Sequence, residues 1–280
     1  MTNNHRITGE AALGGPSFFY EIVGEGHPLV LVHAGIADQR MWDDQIDAFA
    51  QRYQVIRYDM RGYGKTAMVA GPFSHHHDLY NLLKFLDIKK AYLVGSSIGG
   101  STIIDFALEH PEMVAALIPV ASTPSGYEFG ENDDVAPDDE AAKLQAEHEA
   151  AIQRGDITKA AEIEATYWTV GLRRSIEQVH PTLLARVNEM NRIALAHKVA
   201  VLGSEQALEP TAIGRLHEIH IPTLVISGDL DDPAIVKGSE LLATRIKDAR
   251  KAVIANTAHF PNMERPAEFN HLVLKFLASL

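Results

Sequence analysis

The pentapeptide Gly95-Ser96-Ser97-Ile98-Gly99 follows directly on the apolar run Ala91-Tyr92-Leu93-Val94 and precedes a helix-like segment. A strand that turns sharply into a helix, with glycines on either side of a serine, is a narrow structural demand. The glycines leave room for a strained backbone and a close helix–strand approach. The turn lifts the hydroxyl clear of the sheet and lets the next backbone N–H face the reacting oxygen. A GxSxG pattern is common by chance, so its weight comes from these flanks. Ser97 is the candidate nucleophile of a serine hydrolase.

The surrounding chain supports the sheet that such a turn needs. Phe18–Val23 alternates like an early antiparallel strand, and Leu29–Val32 and Tyr53–Tyr58 read as inner strands. Between them, Trp42 to Arg52 carries Ile46 and Phe49 at helical spacing. His77 to Leu86 places Leu79, Leu82, Leu83 and Leu86 on one helical face. Ala91–Val94 and Ala115–Val120 are further strands, separated by a helix from near Ser101 that His110-Pro111 halts. Alternation of strand and helix predicts an α/β fold with a parallel sheet.

After Val120 the texture changes. Residues 125–215 hold almost no strand-like run and read as polar, acidic helices over Asp138–Arg154, Ile157–Trp168 and Pro181–Val201, with a solvated loop at Gly130–Asp134. Strand texture returns at Thr223–Ser227 and Ala252–Ala255, and Ala267–Leu280 is an amphipathic helix that packs back on the sheet. A helical insertion therefore interrupts the sheet after about the sixth strand. The expected division is a core of 1–124 and 216–280 and a helical cap of 125–215.

A serine nucleophile needs a base, and the base needs an orienting acid. His259 lies in Thr257-Ala258-His259-Phe260-Pro261, just past a predicted strand. The acid is expected at the end of the preceding strand, where the chain reads Gly228-Asp229-Leu230-Asp231-Asp232-Pro233. Asp229, Asp231 and Asp232 compete for the role. Asp231, three residues past Gly228, lies beyond the strand end and is favoured. The order Ser, Asp, His is that of α/β-hydrolases.

Five blocks in this order resemble the α/β-hydrolase superfamily, particularly small ester and lactone hydrolases of the 3-oxoadipate enol-lactonase type. They are Leu31-Val32-His33-Ala34-Gly35, Asp59-Met60-Arg61-Gly62-Tyr63-Gly64-Lys65-Thr66, the elbow, Gly228-Asp229-Leu230-Asp231 and Ala258-His259-Phe260-Pro261-Asn262-Met263-Glu264. The resemblance implies a mostly parallel eight-stranded sheet flanked by helices with a helical cap, and a catalytic triad of Ser97, His259 and Asp231. It also implies an oxyanion hole made by the backbone amides of Gly35 and Ile98. Ala34 stands where the family usually has glycine, which leaves Ile36 as a substitute donor and a residue of the substrate pocket. His33 is expected to orient this loop through ring bonds to backbone. Serine at the elbow argues against haloalkane dehalogenase and epoxide hydrolase chemistry, which the family runs with aspartate. A carbon–carbon bond hydrolase acting on a vinylogous diketone, a perhydrolase or a slow-turnover ligand receptor uses the same residues.

Other residues have plainer readings. Three adjacent histidines, His75-His76-His77, point in different directions on a helix and do not converge on a metal, so they read with Asp78 as a helix start. Gly62–Thr66 lacks the GxxxxGK spacing of a phosphate loop and reads as a tight turn. Tyr167 and Trp168 either line the acyl pocket or anchor the cap, and Trp42 reads as core. A net charge of −12 disfavours nucleic acid and anionic membranes, and the absence of cysteine excludes thiolate chemistry. No apolar run is long enough to span a membrane. The expectation is a cytoplasmic protein that acts on a small ester or lactone without cofactor or metal.

Overall fold

The computed structural model describes residues 6–128, 139–200 and 203–280. The chain opens with strands β1 (Arg6–Ala12), β2 (Ser17–Val23) and β3 (His27–Val32), then helix α1 (Asp43–Phe49) and β4 (Tyr53–Tyr58). There follow β5 (Gly71–Phe73), α2 (His75–Phe85), β6 (Ala91–Ser96), α3 (Ile98–Glu109) and β7 (Val114–Val120). Helices α4 (Asp139–Gln153), α5 (Ile157–Val170) and α6 (Pro181–Ala200) come next, then β8 (Gly203–Glu205) and β9 (Leu224–Gly228). The chain closes with α7 (Pro233–Arg245), β10 (Arg250–Ile254), α8 (Pro261–Glu264) and α9 (Pro266–Leu277).

Eight strands form one sheet in the order β1-β2-β4-β3-β6-β7-β9-β10. β2 runs antiparallel to both neighbours, while the pairs from β4 to β10 are parallel. A parallel sheet is covered on both faces, so its inner strands are apolar throughout and alternate residues feed two cores. In β3, Leu29 and Leu31 pack with α1 and α9 through Ile46, Phe49, Phe269 and Val273. Val30 and Val32 face the other way, with α2 and α3, through Leu79, Leu82, Leu83 and Ile103. Among the described residues no helix is long and apolar enough to cross a membrane.

Several boundaries differ from the sequence expectation. The helix expected from Trp42 to Arg52 is shorter, because Gln39–Trp42 forms a 3-10 turn capped by the Asp38 carboxylate before α1 begins. α2 starts at His75, with Asp78 in its first turn. Its histidine rings diverge: His75 lies against Phe73, His76 bonds Ser74 and His77 leans on Tyr80. The edge strand β1 and the two-stranded β5–β8 sheet carry no sequence signal. Almost every residue of β1 is solvent-facing, so it lacks apolar alternation, and β5 and β8 are three residues each. The loop expected at Gly130–Asp134 lies outside the described residues.

The glycines of the elbow are explained by the packing. A Cβ on Gly95 would lie 2.2 Å from the Gly99 carbonyl oxygen, and one on Gly99 would lie 2.4 Å from the Val32 oxygen. Backbone meets backbone there, so nothing flexible can give way. Helix propensity alone would make Gly99→Ala stabilising by about 1 kcal/mol. The clash reverses the sign: we expect a loss of about 3 kcal/mol and a fall in Tm of roughly 5–10 °C. A thermal melt of Gly99→Ala at or above wild type would contradict this packing.

Candidate active site

Ser97 stands between β6 and α3 with φ 53° and ψ −119°, a left-handed region that L-residues avoid. Its backbone is pinned from several sides. Its amide donates to the Val120 oxygen at 2.9 Å, and its carbonyl accepts from the Ser101 amide at 3.0 Å and the Ser122 hydroxyl at 2.8 Å. Such strain costs of order 1–3 kcal/mol and persists only where the surroundings over-determine it. α3 begins at Ile98, three residues before the expected Ser101, so Ile98 is the first helical residue and its N–H has no intrahelical acceptor.

His259 follows β10 and Asp231 follows β9, at the same edge of the sheet where β6 delivers Ser97. The imidazole Nδ1 lies 3.0 Å from both Asp231 carboxylate oxygens, and the two residues are only 2% and 3% exposed. One Asp231 oxygen also accepts the Asp232 amide at 2.8 Å. Asp232 has other work: its carboxylate caps α7 by accepting the Ala234 amide at 2.8 Å, and it accepts the Tyr167 hydroxyl. Asp229 is exposed. Of the three carboxylates, Asp231 is the one that meets the imidazole. With the Nδ1 proton directed at Asp231, Nε2 is left as the basic nitrogen.

The loop after β3 approaches the elbow from the neighbouring strand. A Cβ placed on Gly35 would touch Ile98 Cγ2 at 3.2 Å, so Gly35 and Ile98 lie side by side. Neither amide has an acceptor among the described residues. His33 is fully buried, and its ring bridges backbone to backbone as expected. The Met60 amide donates to Nε2 at 2.9 Å, which leaves the proton on Nδ1, donated to the Ala34 oxygen at 2.8 Å. That carbonyl belongs to the same peptide group as the Gly35 N–H, so the bond orients and polarises the candidate oxyanion donor. Lys198 of α6 does the same for the next peptide. Its ammonium donates to the Gly35 oxygen at 3.3 Å, the carbonyl partner of the Ile36 N–H, while lying 5.1 Å from the Tyr63 ring centroid. The Ile36 side chain is 6% exposed and packs in the core with Met41 and Trp42. Trp42 is fully buried against Phe269, the core role expected of it.

Burial pushes the His33 imidazole down to about 4, so it is neutral at ordinary pH. The sign of the stability effect follows. Between pH 6.5 and 4 the unfolded chain binds a proton on His33 that the folded chain refuses. This contribution is complete above pH 6.5 and is lost as pH falls. From pH 7.5 to 5.0 it amounts to roughly 2 kcal/mol. Urea unfolding at these two pH values is expected to show a loss smaller by that amount in His33→Gln than in wild type. Equal losses would mean that His33 is not held neutral.

The last turn of α5 sits directly on the loops that carry Asp231 and His259. Trp168 lies with its ring 4.4 Å from the His259 ring, interplanar angle 38°, and its carbonyl accepts the His259 amide at 3.4 Å. Beyond it, Arg174 and Glu264 form an ion pair at 2.5 Å, each side chain 7% exposed, and Glu264 accepts the Ala258 amide at 2.8 Å. Sequence reasoning missed Lys198 and Arg174. Glu264 lay inside a quoted motif, but its partner is 90 residues away and leaves no local pattern.

The profile of the alpha/beta hydrolase fold family matches residues 27–266. The chain is 30% identical to 3-oxoadipate enol-lactonase 2 of Acinetobacter baylyi, over 83% of this chain and 82% of that protein. It is 25% identical to the 2-hydroxy-6-oxo-6-(2'-aminophenyl)hexa-2,4-dienoic acid hydrolase of Metapseudomonas resinovorans, over 95% and 89%. Among solved structures, the enol-lactonase from Burkholderia xenovorans LB400 superposes with a TM-score of 0.75 at 25% identity, covering 96% of this chain and all (100%) of that one. With its mostly parallel eight-stranded sheet and a match that runs from the start of β3 to the start of α9, the chain belongs to the alpha/beta hydrolase family.

Proposed function

We propose that the protein is a serine hydrolase that cleaves a small carboxylic ester or lactone by two-step acyl transfer. His259 Nε2 takes the proton of the Ser97 hydroxyl as its oxygen attacks the carbonyl carbon. The tetrahedral oxyanion is held by the amides of Gly35 and Ile98, a type of interaction worth roughly 3–4 kcal/mol per donor in comparable sites. The imidazolium then protonates the leaving oxygen, and the acyl–serine ester forms. Water, deprotonated by the same nitrogen, releases the acid and restores Ser97. Asp231 holds the Nδ1 proton and stabilises the imidazolium without taking the proton itself. The observation that carries this reading is the buried Asp231–His259 pair, 3.0 Å apart, at the sheet edge that also presents a strained serine.

Residues 125–215, with α4 to α6, form the cap in this reading, and residues 1–124 and 216–280 the catalytic core. The contacts of Trp168 with His259 and of Lys198 with Gly35 support it. The ester or lactone class rests on the named activities of the relatives. Carbon–carbon bond hydrolysis is a second reading, favoured by the relative from Metapseudomonas resinovorans. The test is incubation with a fluorophosphonate probe, peptide mapping of the adduct, and parallel assay of short-chain nitrophenyl esters and simple lactones. A single adduct on Ser97 with ester or lactone turnover is expected. An adduct without either turnover favours the carbon–carbon hydrolase, and no adduct overturns the serine mechanism.

A further inference from the structure

We propose that Trp168, carried by the last turn of α5, is a positioning residue for His259, held against it by the Arg174–Glu264 ion pair. This rests on the reading of His259 as the general base and goes beyond it, because it makes the helical segment part of the acid–base apparatus.

Arg174 is a hub of a kind that fixes rather than merely attracts. Four of its N–H groups are committed: to the Val170 oxygen at 2.7 Å, the Thr169 oxygen at 2.5 Å, the Asn256 oxygen at 3.2 Å and the Glu264 carboxylate at 2.5 Å. Two of these acceptors end α5 and two belong to the core on either side of His259. A planar guanidinium holds such a set in one geometry, which a lysine cannot do. Glu264 continues the chain by accepting the Ala258 amide, one residue from His259. Burial pushes the Glu264 carboxyl up and the Arg174 charge opposes this, so the pair depends on both members. Gly171 completes the seam. A Cβ there would lie 2.8 Å from the Leu230 oxygen, and its φ of 75° suits glycine.

The consequence falls on the imidazole. Its edge is tied to Asp231, its amide to the Trp168 carbonyl, and the indole lies tilted against it with ring centres 4.4 Å apart. The ring is thereby held in the plane in which Nδ1 meets Asp231. An indole face also attracts a cation, so it favours the imidazolium that forms during the reaction over the neutral ring before it. That preference acts on the transition state and therefore on kcat. A pocket wall, in contrast, acts on substrate binding and appears in KM.

The experiment uses the full-length protein, Trp168→Leu and Trp168→Phe, a short-chain nitrophenyl ester and a fluorophosphonate probe. Trp168→Leu is expected to lower kcat roughly 5–30-fold, the range of a cation–π contact of about 1–2 kcal/mol, with KM changed less than about twofold. The rate of fluorophosphonate labelling falls in parallel, because it needs the same base. Trp168→Phe, which keeps an aromatic face, recovers most of both rates. The double variant Arg174→Met with Glu264→Gln, which leaves no buried charge unpaired, reproduces the kcat loss with Trp168 intact. A spectroscopic readout is independent of turnover: the low-field proton resonance of His259 Nδ1–H, sharp in wild type, broadens in Trp168→Leu. Wild-type kcat and labelling rate in Trp168→Leu, or a change confined to KM, would overturn the proposal. His259→Ala is run alongside. If it still labels Ser97 at the wild-type rate, the base assignment itself fails, an outcome distinct from a silent Trp168→Leu.

Discussion

Ser97→Ala is expected to lower kcat by about 10⁵–10⁶-fold, the scale seen when a serine nucleophile acting with its histidine is removed. The reason is that alanine leaves no oxygen for His259 to deprotonate and no bond through which an acyl group can be held. The fold is expected to survive, since Ser97 is held by its backbone amide and carbonyl, which alanine keeps. Comparison with Ser97→Gly separates chemistry from strain. Glycine accepts φ 53° without the Cβ penalty and, after its own entropy cost, should melt above alanine by about 1 kcal/mol in stability. Both variants should be equally inactive and equally blind to a fluorophosphonate. Turnover in Ser97→Ala within tenfold of wild type, measured on any ester that wild type cleaves, would end the acyl-enzyme reading.

The second large effect is expected at Asp231. Asp231→Asn keeps size and shape but offers Nδ1 an N–H donor, so the imidazole takes the tautomer with its proton on Nε2. The base is then blocked, and a fall in kcat of about 10⁴-fold follows from the same tautomer error in a comparable triad. The neighbours serve as controls. Asp232→Asn retains a residue that caps helices well and can still accept the Ala234 amide, so activity should change by only a few-fold. Asp229→Asn, at an exposed position, should be indistinguishable from wild type. A loss confined to Asp232→Asn would transfer the acid role to that residue and leave the 3.0 Å contact of Asp231 with His259 without a catalytic purpose.

These expectations draw unequally on sequence and structure. The strand runs at Leu29, Tyr53, Ala91 and Ala115, and the elbow between them, are local patterns. Continuous apolar runs mark strands buried on both faces, and a serine between glycines marks the turn. The helices after Val120 were visible as well, as polar, acidic runs without strand texture. β1 was not, because an exposed edge strand buries too little to imprint alternation; only Ala11 in it is buried.

The sequence by itself determined the α/β architecture, the tight turn that carries Ser97 and the chain order of Ser97, Asp231 and His259. Those features are encoded in periodicity and spacing over a few residues. The sequence favoured Asp231 among three neighbouring aspartates by its place past Gly228, and the tertiary structure decided that its carboxylate is the one that meets the imidazole. Asp229 is exposed and Asp232 caps α7, so neither reaches the ring. The tertiary structure also decided that Trp168 faces His259 and that Arg174 pairs with Glu264. Contacts made across 90 residues or more are chosen by how helices settle on the sheet, and no local pattern in the chain records that choice.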